Sequence, residues 1–190
     1  MSERFEQDIT RSLEVLKSGG IILYPTDTIW GIGCDATNAN AVKRVYEIKQ
    51  REDSKSLIIL LTEEREVLQY VAAPDLAVFD FIEEQTRPTT VIFENALGLP
   101  DNLVAGDGSI AIRMVRDEFC RHLIKRFRKP IVSTSANISG EASPKFFGDI
   151  SERVKNSVDY VVRWRQDDVK PAEPSQIIRW TNGSAEYLRQ

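Results

Sequence analysis

Four short segments of this chain gather groups that bind anions. Tyr24-Pro25-Thr26-Asp27-Thr28-Ile29-Trp30-Gly31 places two threonine hydroxyls, a carboxylate and a glycine after an apolar run, and ligands of open α/β sheets bind at such strand ends. Lys49-Gln50-Arg51 with Lys55 supplies three cations just before the apolar stretch Ser56 to Leu61; arginine offers a bidentate fork to phosphate and lysine a point charge. Ser133-Thr134-Ser135-Ala136-Asn137-Ile138-Ser139-Gly140-Glu141-Ala142-Ser143-Pro144 carries five hydroxyls, an amide and a glycine, neutral donors suited to a polyphosphate or carboxylate. Arg113 ends the alternating run Ser109 to Arg113, and Arg189 near the C-terminus is a companion cation. Taken singly, each segment has a plainer reading: a turn, a cation at a helix end, a polar loop, a surface arginine. Together they suit a site that collects and aligns anions.

Other chemistries find little footing. His122 is the one histidine, so zinc sites rich in histidine and Ser-His-Asp or Cys-His catalysis are ruled out except through that residue. Gly31-Ile32-Gly33-Cys34-Asp35-Ala36 matches the dinucleotide pattern GxGxxA, but a proline turn precedes it and the next helix start lies near Asn40, so the required strand, turn and helix are missing. No GxxxxGK[ST] occurs, which removes an ordinary P-loop. Cys34 and Cys120 are far apart in a chain that opens with the charged stretch MSERFEQDITRS, so reduced thiols, no membrane span and a cytoplasmic location are expected.

The elements that must position these groups alternate. Ile9, Leu13 and Leu16 recur at helical spacing before Gly19-Gly20, predicting a helix and then a strand from Ile21 to Tyr24. Asn40 is the expected cap of a helix carrying Val42, Val45, Tyr46 and Ile48; strand Ser56 to Leu61, a short helix from Thr62 and a helix marked by Leu76, Phe79 and Ile82 follow. Strands are expected at Thr90 to Phe93, Ser109 to Arg113, Ile131 to Thr134, Val158 to Val162, Gln176 to Trp180 and Ala185 to Leu188. Helices are expected after Asp117, ending at Pro130, and around Asp149 to Val154, and residues 163 to 174 read as a mobile loop. With 190 residues, 42% apolar and 28% charged, and a net charge of −4, this predicts one α/β domain over residues 1–190 whose strand order the pattern does not reveal.

The segments YPTDTIWGIGCDA, IKQR, SIAIR and STSANISGEASP stand in the order and approximate spacing of the YrdC family, the threonylcarbamoyl-AMP synthases, and by them the chain is identified as a member of that family in its short form. The resemblance covers roughly residues 7 to 189. It implies a twisted, open, mixed sheet with flanking helices around a concave cationic cavity. It also implies a nucleotidyltransferase that makes threonylcarbamoyl-AMP and pyrophosphate from ATP, L-threonine and bicarbonate, for transfer to tRNA by a partner transferase complex. Carried over by position, Lys49 and Arg51 are the catalytic cations, and Arg51, Lys55, Ser109, Ser135, Asn137, Ser143 and Arg189 hold ATP. Thr28, Arg113, Ser133 and Ser175 hold threonine, with Arg113 on its carboxylate. Mg2+ is expected to arrive with ATP, because no acidic cluster identifies a protein ligand for it.

The chain departs from the family pattern at Arg87-Pro88-Thr89-Thr90, where a glycine precedes the proline in many members, at Met114-Val115 after Arg113, and at Ser175-Gln176-Ile177-Ile178. Competing readings are a YciO-like paralogue, set against by the retained Ser135 and Asn137, an embedded carbamoyltransfer domain of the hydrogenase-maturation type, and a module binding tRNA or double-stranded RNA. The last rests on residues 113 to 129, where seven Lys or Arg meet only Asp117 and Glu118; a solvated basic helix face is the plainer account, and weak RNA binding is the expectation.

Overall fold

A computed structural model describes residues 3–50, 57–171 and 173–190, with side chains from residue 4. The chain builds helices α1 (Glu6–Lys17), α2 (Ala39–Lys49), α3 (Glu64–Val67), α4 (Ala77–Glu84), α5 (Glu118–Phe127) and α6 (Glu152–Lys155). Its strands are β1 (Ile22–Tyr24), β2 (Gly31–Gly33), β3 (Ile58–Leu61), β4 (Thr89–Phe93), β5 (Ile110–Met114), β6 (Ile131–Ser135), β7 (Tyr160–Val161), β8 (Gln176–Thr181) and β9 (Ser184–Arg189). They form one mixed sheet in the order β7-β1-β2-β6-β3-β5-β4-β8-β9. β1 with β7, β3 with β5 and β4 with β8 are parallel, and the other neighbours are antiparallel.

Strand register sorts the side chains into two faces. Val132, Ile59, Ile112, Val91 and Ile178 stand side by side across five strands, all buried, and form a continuous apolar row of the core. The adjacent row on the opposite face reads Ser133, Ile58, Ala111 and Ile92, and the next one includes Arg113 paired with Thr90. Hydroxyls, a small side chain and a guanidinium interrupt the apolar pattern on this face, and the cavity opens there. Among the described residues no helix is long and apolar enough to cross a bilayer.

Four local expectations are corrected or sharpened. The cap of α2 is Asn38, not Asn40: its extended backbone lets Oδ1 accept from the amides of Asn40 and Ala41 at 3.0 and 3.2 Å. The glycines of the dinucleotide-like pattern are a strand. A Cβ on Gly33 would lie 2.6 Å from the Tyr24 ring and from the Val132 carbonyl oxygen, so this glycine permits close strand packing. The segment 149 to 154 is split into a turn at Phe147–Asp149 and the four-residue α6, capped by Ser151. The stretch expected as a mobile loop is fastened at its start, because buried Asp8 accepts from the amides of Arg163 and Trp164 at 3.1 and 2.9 Å and Trp164 packs edge-on against Phe5.

Candidate active site

The cavity has a volume of about 270 Å³ and lies against the ends of β2, β5 and β6, the turn before β2 and the approach to β8. Seven of the residues expected at the site line it: Thr28, Arg113, Ser133, Ser135, Ser143, Ser175 and Arg189. They come from five parts of the chain, which the sheet brings together. The described lining contains two guanidinium groups and no carboxylate.

Arg113 is the most telling of these groups. It is only 3% exposed. Its Nη2 lies 3.2 Å from Asp27 Oδ1, an ion-pair distance, but the alignment does not make a hydrogen bond. Arg113 Nε, Arg113 Nη2 and Asp27 Oδ1 are all buried with no hydrogen-bond partner among the described residues. Buried polar groups normally have partners, so a cation with unused donors at a cavity wall is a place for an anion.

Arg189 approaches from the opposite side. Its Nε and Nη2 donate to the Ser175 carbonyl at 2.9 and 2.7 Å, and the Ser175 and Thr90 hydroxyls share a hydrogen bond of 2.8 Å. Burial and the neighbouring charge of Arg113 pull the Arg189 guanidinium below its ordinary value, the electrostatic mark of two like charges facing one space. Arg87 turns toward Glu173 at 3.8 Å and is not among the described residues lining the cavity.

Other expected residues sit differently. Lys49 is 2% exposed and does not line the cavity. Its Nζ donates to the carbonyls of Ser135 and Asn137 at 2.6 and 2.7 Å, and its own carbonyl accepts from the Ser139 amide. Asn137 turns its amide to the carbonyls of Ile138 and Glu141 at 3.0 and 2.8 Å. Lys49 and Asn137 therefore shape the 135–141 loop from behind. Ser109 is tied to Asp107 at 2.6 Å, away from the lining. Arg51 and Lys55 lie outside the described residues.

The cavity also uses residues that sequence reasoning passed over. Trp30 lines it and packs against Phe147 with ring centroids 4.8 Å apart; Ala111 lines its floor. The signals were present, in an aromatic residue inside the first motif and a small residue between two isoleucines in an alternating strand.

Most of the basic residues from 113 to 129 are engaged by groups from other elements. Arg116 donates to carbonyls at the end of α4, Arg121 to the Thr62 carbonyl, and Lys125, Arg126 and Lys129 pair with Glu63, Glu6 and Asp35. Among the described residues no group of three or more His, Cys, Asp or Glu is arranged to hold a metal ion.

Comparison with known proteins bears on the family and the fold. A Methanocaldococcus jannaschii protein that carries the name threonylcarbamoyl-AMP synthase provisionally is 36% identical over 178 residues, covering 92% of this chain and 83% of its own. The threonylcarbamoyl-AMP synthase of Idiomarina loihiensis is 31% identical over 166 residues, covering 86% of this chain and 88% of its own. The crystal structure of P. abyssi Sua5 complexed with L-threonine superimposes with a TM-score of 0.84 at 25% identity, over 97% of this chain; the chain spans 54% of that longer protein. Residues 14–190 match the family Sua5_yciO_yrdC, described as "Telomere recombination". With a sheet, a cavity and curated relatives that all point the same way, the chain belongs to the Sua5/YciO/YrdC family.

Proposed function

We propose that this protein is an L-threonylcarbamoyladenylate synthase, a nucleotidyltransferase acting on ATP, L-threonine and bicarbonate. The observation that carries the reading is the buried Arg113 guanidinium, with donors unused, on a cavity that also presents Thr28, Ser133, Ser135 and Arg189. Arg113 receives the carboxylate of the amino acid, and Ser135, Ser143 and Arg189 face the nucleotide. The threonine amine adds to carbon dioxide released from bicarbonate and loses a proton. An oxygen of the resulting carbamate then attacks the α-phosphorus of ATP, and the bond to pyrophosphate breaks. Aligning anions and balancing their charge supplies most of the catalysis in such a transfer. The described lining offers no carboxylate for a resident metal, and in this reading magnesium enters as the ATP complex and counts as substrate. The product passes to a transferase that modifies tRNA.

The reading is tested by incubating the protein with MgATP, L-threonine and bicarbonate and following pyrophosphate and the adenylate by mass spectrometry. Adenylate should form only when all three are present. Equal pyrophosphate release without threonine, or no adenylate with the full set, would overturn it. The RNA-module reading is disfavoured by the paired basic residues on and around α5.

A further inference from the structure

Resting on that reading, we propose that Thr26 and Arg165 are positioning residues that fix Thr28 as a hydrogen-bond acceptor for the amino group of the bound amino acid. The argument begins with hydroxyl protons. A hydroxyl has one hydrogen to donate. Thr26 Oγ1 donates to the Ile29 carbonyl at 2.8 Å and accepts from the Thr28 amide at 3.0 Å. In its 2.9 Å contact with Thr28 Oγ1 it can only accept, so Thr28 is the donor there. The Thr28 hydroxyl proton is thus committed to the turn, and only its lone pairs remain for a ligand in the cavity that it lines. Lone pairs suit an N–H group and repel a carboxylate or phosphate oxygen.

The turn that carries these two threonines is held to the rest of the protein through Asp27, which pairs with Arg113 at 3.2 Å and accepts from the Arg116 amide at 3.3 Å, and at two carbonyls. Pro25 accepts from the Cys120 thiol at 3.3 Å, and Thr26 accepts from Arg165 Nη1 at 3.0 Å. A thiol is a weak donor and a guanidinium a strong one, so Arg165 is the firmer tie.

Arg165 is itself tightly constrained. Its φ of +67° is in the left-handed region that non-glycine residues rarely adopt. Nε donates to Asp168 at 2.6 Å, and Nη1 also reaches Asp117, the cap of α5, at 3.0 Å. One guanidinium therefore joins the threonine turn, the start of α5 and the loop that runs on to Ser175 on the far wall of the cavity.

The test compares Arg165→Ala, Thr26→Val and Thr26→Ser with Arg163→Ala, a control in the same loop. Steady-state kinetics of adenylate formation are measured together with hydrogen exchange of the amides from 26 to 30. Arg165→Ala and Thr26→Val should raise the KM for threonine about tenfold and leave that for ATP within about twofold, the effect of losing one directed hydrogen bond. Thr26→Ser, which keeps the hydroxyl, and Arg163→Ala should behave like wild type, and the 26–30 amides should exchange faster in Arg165→Ala. An equal rise in both KM values, or a Thr26→Ser variant as impaired as Thr26→Val, would overturn the proposal. If the wild-type protein makes no adenylate, the functional reading falls by itself and exchange decides the positioning role: faster exchange in Arg165→Ala supports it, and unchanged exchange overturns it.

Discussion

Replacing Lys49 by methionine separates two roles that its sequence position leaves open. The apolar stem is kept and the ammonium is removed. In the structure that ammonium donates to the Ser135 and Asn137 carbonyls at 2.6 and 2.7 Å from a site that is 2% exposed. A hydrogen bond to a charged group contributes about 1.5–3 kcal/mol, and a buried acceptor left without its donor carries a further penalty. Two such bonds set the expected loss at about 4 kcal/mol, allowing for relaxation of the loop. For a chain of this size that corresponds to a fall in Tm of about 8–16 °C. Urea unfolding of the free protein, with m compared to wild type, and a thermal melt give the number without any substrate. Stability within about 1 kcal/mol of wild type, together with loss of adenylate formation, would refute the anchoring argument. Lys49 would then act directly on phosphate, as its place in the motif first suggests.

Four further outcomes are expected. Ala111→Leu should project into the 270 Å³ cavity and abolish ligand binding, with stability changed by no more than about 1 kcal/mol because the added carbons enter open space; intact threonine binding by calorimetry would contradict this. Arg113→Met should weaken threonine binding more than ATP binding, and the reverse order in titration calorimetry would show that the cavity is divided differently. Cys34 and Cys120 are buried and burial pushes both thiols well above their ordinary range; a thiol reagent at neutral pH should therefore find neither in the native protein and both in guanidinium chloride. Binding to duplex RNA should be weak, since Lys125 and Lys129 already have carboxylate partners; submicromolar affinity with a steep salt dependence, lost in a Lys125→Ala/Lys129→Ala variant, would restore the nucleic-acid reading.

The strands that flank the cavity were legible because alternation is a local signal. Ala111 and Arg113 share one parity in the sequence and one face in the sheet, and β5 begins at Ile110, a residue later than the pattern from Ser109 suggests. β2 was not legible as a strand. Two of its three residues are glycines, which show no alternation, and the reason for Gly33 is the ring of Tyr24 lying against it. Strand order was out of reach for a related reason: β6 pairs with β2 and β3, which precede it by a hundred and by seventy residues or so, and such partners leave no local trace. Lys49 shows the same limit at a single side chain. Phosphate oxygens and backbone carbonyls ask for the same donor, and only the arrival of Ser135, 86 residues later, decides between them.

The cavity owes its character to which residues break the apolar rows. Val132, Ile59, Ile112, Val91 and Ile178 fill one face without interruption, whereas the opposite face substitutes a hydroxyl at Ser133, a methyl at Ala111 and a guanidinium at Arg113. Fold stability alone gives no reason for the last of these, since burying a cation with idle donors is unfavourable. Sequences depart from local rules of this kind at functional sites. On the proposed assignment an incoming carboxylate supplies the acceptors that Arg113 lacks, so the same donors that weaken the free protein would become favourable interactions in the complex. The cost is offset by the uninterrupted row on the other face, and this division of labour between the two faces of one sheet lets the fold keep a buried guanidinium with unused donors at the cavity wall.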